Sequence, residues 1–146
     1  MGFCTADEHQ AFLESAPEFE AMLQQGDIKL LKYWLDIERS EQEERLAERR
    51  TDPLKGWKVS SIDQAAVEKF DDYTARRDEM LQRTSLPHAP WTIARANRKR
   101  TARIEIIRDL LSRFDYPGKI KELCQPNRNV VFQFDPSLVD GGWLAR

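Results

Sequence analysis

The sequence predicts an α/β fold, mostly helical, resting on a parallel sheet that these residues do not complete. Three observations carry that expectation. Residues 27–37, DIKLLKYWLDI, are almost continuously apolar, which marks a strand covered on both faces. The periodic segments run helix, strand, two helices, strand, helix, and a strand–helix–strand unit implies parallel pairing through a right-handed crossover. Two strands cannot cover such a strand, because a stable sheet needs three or more strands with protected faces. The chain therefore reads as the second half of an α/β domain.

Each element has a local reason. Thr5 with Glu8 forms a capping box that opens a helix, and Ser15 with Glu18 repeats the signature with Pro17 in the first turn. Phe12, Ala16, Phe19 and Leu23 share one face, and Gly26 ends the segment. Ser40 with Glu43 opens the next helix, which Asp52-Pro53 stops, since a residue before proline avoids helical backbone angles. Ser60 with Asp63 caps a long helix to about Arg83, with Ile62, Ala66, Phe70, Tyr73 and Met80 as its apolar stripe. The opposite face holds Lys69, Asp71, Asp72, Arg76 and Asp78. Trp91 to Ala94 is a short strand, and Asn97 caps a last helix with stripe Ile104, Ile107, Leu111 and Phe114. Val130 to Phe134 is expected as a short edge strand, and Gly141-Gly142 as the start of a loose end.

Composition narrows the function classes. A net charge of −2 over 146 residues gives no global attraction to nucleic acid, so anion binding must come from local patches. Cys4 and Cys124 lack CxxC spacing and read as two reduced thiols of a cytoplasmic protein. His9 and His88 have no metal-ligand spacing. No run of about 18 apolar residues could span a membrane.

The local patches lie in two places. The run Arg45–Lys58, RLAERRTDPLKGWK, gathers Arg45, Arg49, Arg50, Lys55 and Lys58 with little that is core-like. Arg45 and Arg49 share a helix face and could fork onto phosphate oxygens. Equally, Glu41 stands four residues before Arg45 for an ordinary helix pair. Lys55 and Lys58 flank Trp57, either as a solvated basic turn or as a charge clamp anchored by the indole. The second patch is Arg95, Arg98, Lys99, Arg100 and Arg103, cations placed where a helix N-terminus disfavours them unless an anion is present. Trp34, Phe70, Tyr73 and Trp91 read as core by their spacing. No GxxxxGK phosphate loop occurs, and no triad or metal-ligand set is evident.

An ordered set of residues then becomes specific. KYWLDI at 32–37, SEQ at 40–42, Arg45, Arg49, DPLKGWK at 52–58, Ser60, Asp63, DDY at 71–73, Met80, Thr84, APW at 89–91, Lys99 and Ala102-Arg103 closely resemble the polyphosphate kinase 2 family over about residues 1–114. The resemblance implies the C-terminal part of a P-loop kinase fold like that of thymidylate kinases, with a helical lid at about 40–84 and a tail at 115–146. It implies Mg²⁺-dependent phosphoryl transfer between inorganic polyphosphate and a nucleotide such as ADP, GDP or AMP. The implied phosphate-binding residues are Arg45, Arg49, Lys55, Lys58, Lys99, Arg103 and Lys32. The catalytic residues and Mg²⁺ ligands of such enzymes are expected upstream of Met1. A homo-oligomer or an N-terminal half supplied separately is the expected partner, and the chain reads as a shortened reading frame, an expressed piece or a remnant. Phe70 stands where the family usually has Trp, Asp36 where a small polar residue is usual, and Gly56 where a basic or polar one is usual. The alternative is a non-catalytic module that binds polyphosphate or pairs with a kinase, with exposed apolar surface around Ile28–Leu35.

Overall fold

The computed structural model describes residues 2–58 and 60–146, apart from the side chains of Lys58, Ser61 and Gln64. Helix α1 spans Ala6–Gln25. Its capping box forms as expected: the Glu8 N–H donates to Thr5 Oγ1 (3.2 Å) and the Thr5 N–H to Glu8 Oε2 (2.7 Å). The Thr5 N–H, and with it the Thr5 hydroxyl (3.0 Å), donates to Glu8 Oε2, and these two bonds hold the Glu8 carboxyl below its ordinary pKa. The second box at Ser15 is not used. The helix runs through it with Pro17 inside, and Ser15 Oγ donates back to the Phe12 carbonyl (3.4 Å). Tertiary ties beyond the proline, from Glu20 to Lys32 and from Gln24 to the His88 carbonyl, hold the far half in line.

Strand β1 is Lys32–Asp36, shorter than the apolar run that predicts it. Helix α2 (Arg39–Thr51) begins one residue before Ser40, so the Ser40–Glu43 box is bypassed. Glu38 takes the cap position, and its N–H is satisfied by Asn97 Oδ1 (3.0 Å). That bond also explains why Asn97 does not cap the last long helix, where Arg98 stands instead. Asp52 is extended (ψ 114°) before Pro53, as expected. The long helix predicted from Ser60 is two helices, α3 (Ser61–Glu68) and α4 (Phe70–Thr84), broken at Lys69 (φ −104°, ψ 22°). The break turns Phe70 inward, where Arg39 lies 4.7 Å over its ring.

Strand β2 (Trp91–Arg95) pairs in parallel with β1, Lys32 beside Trp91 and Asp36 beside Arg95. After α5 (Lys99–Ser112) the chain returns through a short 3₁₀ turn at Lys121–Cys124 to β3 (Val131–Gln133), then α6 (Ser137–Asp140). Strand β3 is antiparallel to β2 and the order is β1-β2-β3. The predicted parallel pair is thus present, but the sheet is mixed and β1 is an edge. Among the described residues no strand pairs with its outward flank, and Leu35 is 56% exposed.

Alternation along β1 separates two layers. Lys32 and Asp36 face α1 and α4, through Glu20, Thr84 and Arg77. Tyr33 faces α5, donating to Asp109 (2.7 Å). The apolar core lies on the α4 side: Leu81, Ile93, Phe134, Val139 and Leu144, with Trp34 and Trp91 packed against it. Burying Leu81 and Ile93 fully contributes about 2 kcal/mol each. The α5 side is polar. Helix α5 buries Ala102, Glu105 and Asp109 and leaves its expected stripe outside, with Ile107 54% exposed. The inward carboxylates are compensated: Asp109 by Tyr33, Arg113 (2.8 Å) and Arg128 (3.3 Å), Glu105 by the Asn127 N–H (2.6 Å) and Arg108 (2.7 Å). Burial and the bond to Asp109 push the Tyr33 phenol above its ordinary pKa.

Candidate phosphate-binding site

The carboxyl ends of β1 and β2 lie side by side and feed α2 and α5. In open α/β sheets ligands bind outside these ends. Arg45, on α2, reaches across: its Nη2 donates to the carbonyls of Ala96 (2.6 Å) and Asn97 (3.1 Å), and its Nε to Glu41 (2.6 Å). The helix pair and the inter-element tie therefore coexist at one guanidinium. That tie sets Arg45 beside the first turn of α5, where a cavity of about 430 Å³ is lined by Arg45, Asn97, Arg98, Lys99 and Arg100 against Glu41, Glu44 and Glu48, of which Glu41 is held by Arg45 and Glu48 by Lys55. Among the described residues, Arg98, Lys99, Arg100 and Arg103 have no carboxylate partner. Arg98 at the cap position makes no side-chain cap bond, so the first N–H groups of α5 remain open to a ligand. Open amides and unpaired cations at one helix N-terminus suit an anion, and phosphate above all.

Arg49 sits one turn beyond Arg45 and pairs with Asp63 of α3 (3.1 Å), a bond that ties α2 to the next helix. Arg103 lies one turn beyond Lys99 and is exposed. Lys55 is held by Asp52 (3.1 Å) and Glu48 (3.3 Å), and these bonds, Asp52's first, raise its pKa. Lys58 belongs to a 3₁₀ turn (Gly56–Lys58), but its side chain lies outside the described residues. Lys32 is not brought to the cluster. It begins β1, four residues from Asp36, hence about 13 Å from the carboxyl end of the strand. It is buried, donating to Glu20 (2.7 Å) and the Thr84 carbonyl (2.6 Å), 5.0 Å from the Trp91 ring. A buried lysine needs such a partner, and its charge is already answered.

Sequence patterns give no sign of a second assembly at the same end of the sheet. Arg77, from α4, donates to Asp36 Oδ1 (3.2 Å), Asp78 Oδ1 (2.9 Å) and the Ala145 carbonyl (2.8 Å). The Ala145 N–H returns to Asp36 Oδ2 (2.9 Å), and Arg146 donates to Asp78 (2.8 Å). The expected loose end is therefore anchored, with Leu144 and Ala145 buried. Neither an adjacent Arg-Asp pair nor a small residue near a chain end signals such a lattice. Asp78, assigned by periodicity to a charged outer face, is buried for this reason.

No helix of the described residues is long and apolar enough to cross a membrane. Among those residues no three His, Cys, Asp or Glu side chains converge on a metal position.

The family model described as polyphosphate kinase 2 matches residues 1–122. The ADP-polyphosphate phosphotransferase 1 of Rhizobium meliloti is 50% identical over 119 residues, 82% of this chain and 40% of that protein. The NDP-polyphosphate phosphotransferase 2 of Ruegeria pomeroyi is 43% identical over 139 residues, 95% of this chain and 38% of that protein. The crystal structure of polyphosphate kinase 2 from Arthrobacter aurescens superposes with a TM-score of 0.65 at 35% identity, covering 68% of this chain and 36% of that one. The chain thus spans about two fifths of the length of these curated relatives. On these matches, the chain belongs to the polyphosphate kinase 2 family.

Proposed function

We propose that this chain supplies the lid and C-terminal elements of a phosphotransferase acting between inorganic polyphosphate and a nucleoside mono- or diphosphate. In this reading the fold is the C-terminal part of a P-loop kinase, like that of thymidylate kinases. Residues 40–84 are the lid and 115–146 the C-terminal tail. The observation that carries the reading is the cradle where Arg45 is tied to the carbonyls beside the α5 N-terminus, with Lys99 unpaired next to it. Phosphates would lie along Arg45, Arg49, Lys99 and Arg103, with Lys55 and Lys58 reaching them from the turn after α2. Lys32 would act at a distance, by holding α1 and α4 to the start of β1. The residues that would hold Mg²⁺ and the catalytic residues belong, in this reading, to the remainder of the relatives' length.

The test is ATP formation from polyphosphate, ADP and Mg²⁺, with this chain alone and with the remaining part of a relative added. ATP formed only in the mixture is the expected result. ATP from the chain alone overturns the division of labour, and none from either overturns the phosphotransferase reading.

A second reading, a non-catalytic polyphosphate-binding or kinase-pairing module, has its own support. Ile28 ahead of β1, Leu35 within it, Phe12 and Phe19 of α1, and Ile104 and Ile107 of α5 are all exposed. An apolar surface of that kind marks an interaction face. Binding of polyphosphate without ATP formation in the mixture would favour it.

A further inference from the structure

Two helices leave apolar stripes uncovered, and their charges are opposite in sign. Helix α1 shows Phe12 and Phe19, 65% and 61% exposed, seven residues apart on one face. Around them it carries carboxylates from Asp7 to Glu20 and no lysine or arginine. Glu20 is engaged by Lys32, Glu8 by the Thr5 cap and Glu14 by Gln10. Asp7 and Glu18 are exposed and have no partner among the described residues.

Helix α5 is the counterpart. It turns Glu105 and Asp109 inward, 6% and 1% exposed, so the charges it shows to solvent are cationic. The inward carboxylates are not free to turn out, because Tyr33, Arg113 and the Asn127 N–H hold them. Ile104 and Leu111 repeat the seven-residue spacing, with Arg100 and Arg103 at the N-terminal end of the stripe. Neither arginine has a carboxylate partner among the described residues.

Two α1 faces repel each other by like charge, and so do two α5 faces. Each face suits the other. We propose that a second copy of this chain docks its α5 face on α1. The helices run antiparallel, Phe12 over Leu111 and Phe19 over Ile104, and Glu18 comes beside Arg103. Equal spacing lets both apolar pairs close at once, and antiparallel packing sets opposite helix dipoles together. Lys32 meets α1 while Tyr33, next along β1, meets α5, so the two surfaces lie on opposite sides of the sheet. The contact is therefore head to tail and extends past two copies. This inference does not depend on the proposed function.

The test is sedimentation equilibrium of the whole chain without polyphosphate, since Arg103 also belongs to the proposed phosphate cradle. The average mass is expected to rise with concentration past that of two chains. Glu18→Arg and Arg103→Glu, both at exposed positions, should each weaken self-association by about tenfold or more, because each sets like charges together. An equal mixture of the two should recover it, because each variant then supplies the charge that the other lacks. Circular dichroism checks that both remain folded, and Phe19→Gln, which changes no charge, should weaken association in the same assay. A monomer at every concentration would overturn the inference and leave both faces to the remaining part of a relative. A mass that stops at two chains would overturn the head-to-tail arrangement. Association that survives the charge reversals, or a mixture no better than its components, would show adhesion without a matched partner and overturn it as well.

Discussion

Replacing Arg77 by leucine tests how the tail is held to the sheet. The leucine keeps apolar volume but removes the guanidinium that joins Asp36, Asp78 and the Ala145 carbonyl. Arg77 and Asp36 are almost fully buried, with side chains 4% and 6% exposed, so solvent cannot replace what is lost. Asp36 would keep the Ala145 N–H and the Trp34 indole (3.3 Å), and Asp78 would keep Arg146. Leaving one member of a buried pair uncompensated costs about 3–5 kcal/mol. A domain holds only about 5–15 kcal/mol in all. With a urea slope of about 1.5 kcal/mol per molar, the midpoint should fall by roughly 2–3 M. Urea unfolding followed by circular dichroism gives that number, and hydrogen exchange at the Ala145 amide shows whether the tail releases. A loss below about 1 kcal/mol with Ala145 still protected would mean the lattice contributes little, and the reasoning fails.

Two further outcomes are expected from other parts of the molecule. In the complemented enzyme, Arg45→Ala should weaken polyphosphate binding by about 1–3 kcal/mol, the range for charged hydrogen bonds; calorimetric titration with unchanged affinity would leave Arg45 as a helix-pairing residue. The Tyr33 phenol has a folded-state pKa raised above its unfolded value, so its contribution is present below about pH 10 and is lost as pH rises beyond it. Unfolding midpoints of the parent should therefore fall above that pH more steeply than those of Tyr33→Phe, and parallel curves would refute the link.

Much of the local plan can be read in the residues, because caps and stops act within a few positions. Thr5 with Glu8, Gly26, and Asp52 before Pro53 each behave as their neighbours dictate. Local signals failed where a distant group competed. Asn97 does not cap α5 because its side chain meets the Glu38 N–H, and the Ser15 box lies idle inside a helix held by Lys32 and His88. The α5 stripe was legible as apolar, yet it faces outward, because its carboxylates find Tyr33, Arg128 and Asn127 within the fold.

The candidate site divides in the same way. Spacing alone places Arg45 and Arg49, and likewise Lys99 and Arg103, on successive turns of one helix, since helical periodicity needs no distant partner. An ordered set of short motifs likewise carries the family. The folded arrangement is what brings Arg45 to the start of α5, puts Lys32 at the opposite end of β1, and locks the segment ending at Arg146 onto Asp36 and Arg77. Those outcomes depend on which buried charges find partners across long sequence separations, and no local pattern records that.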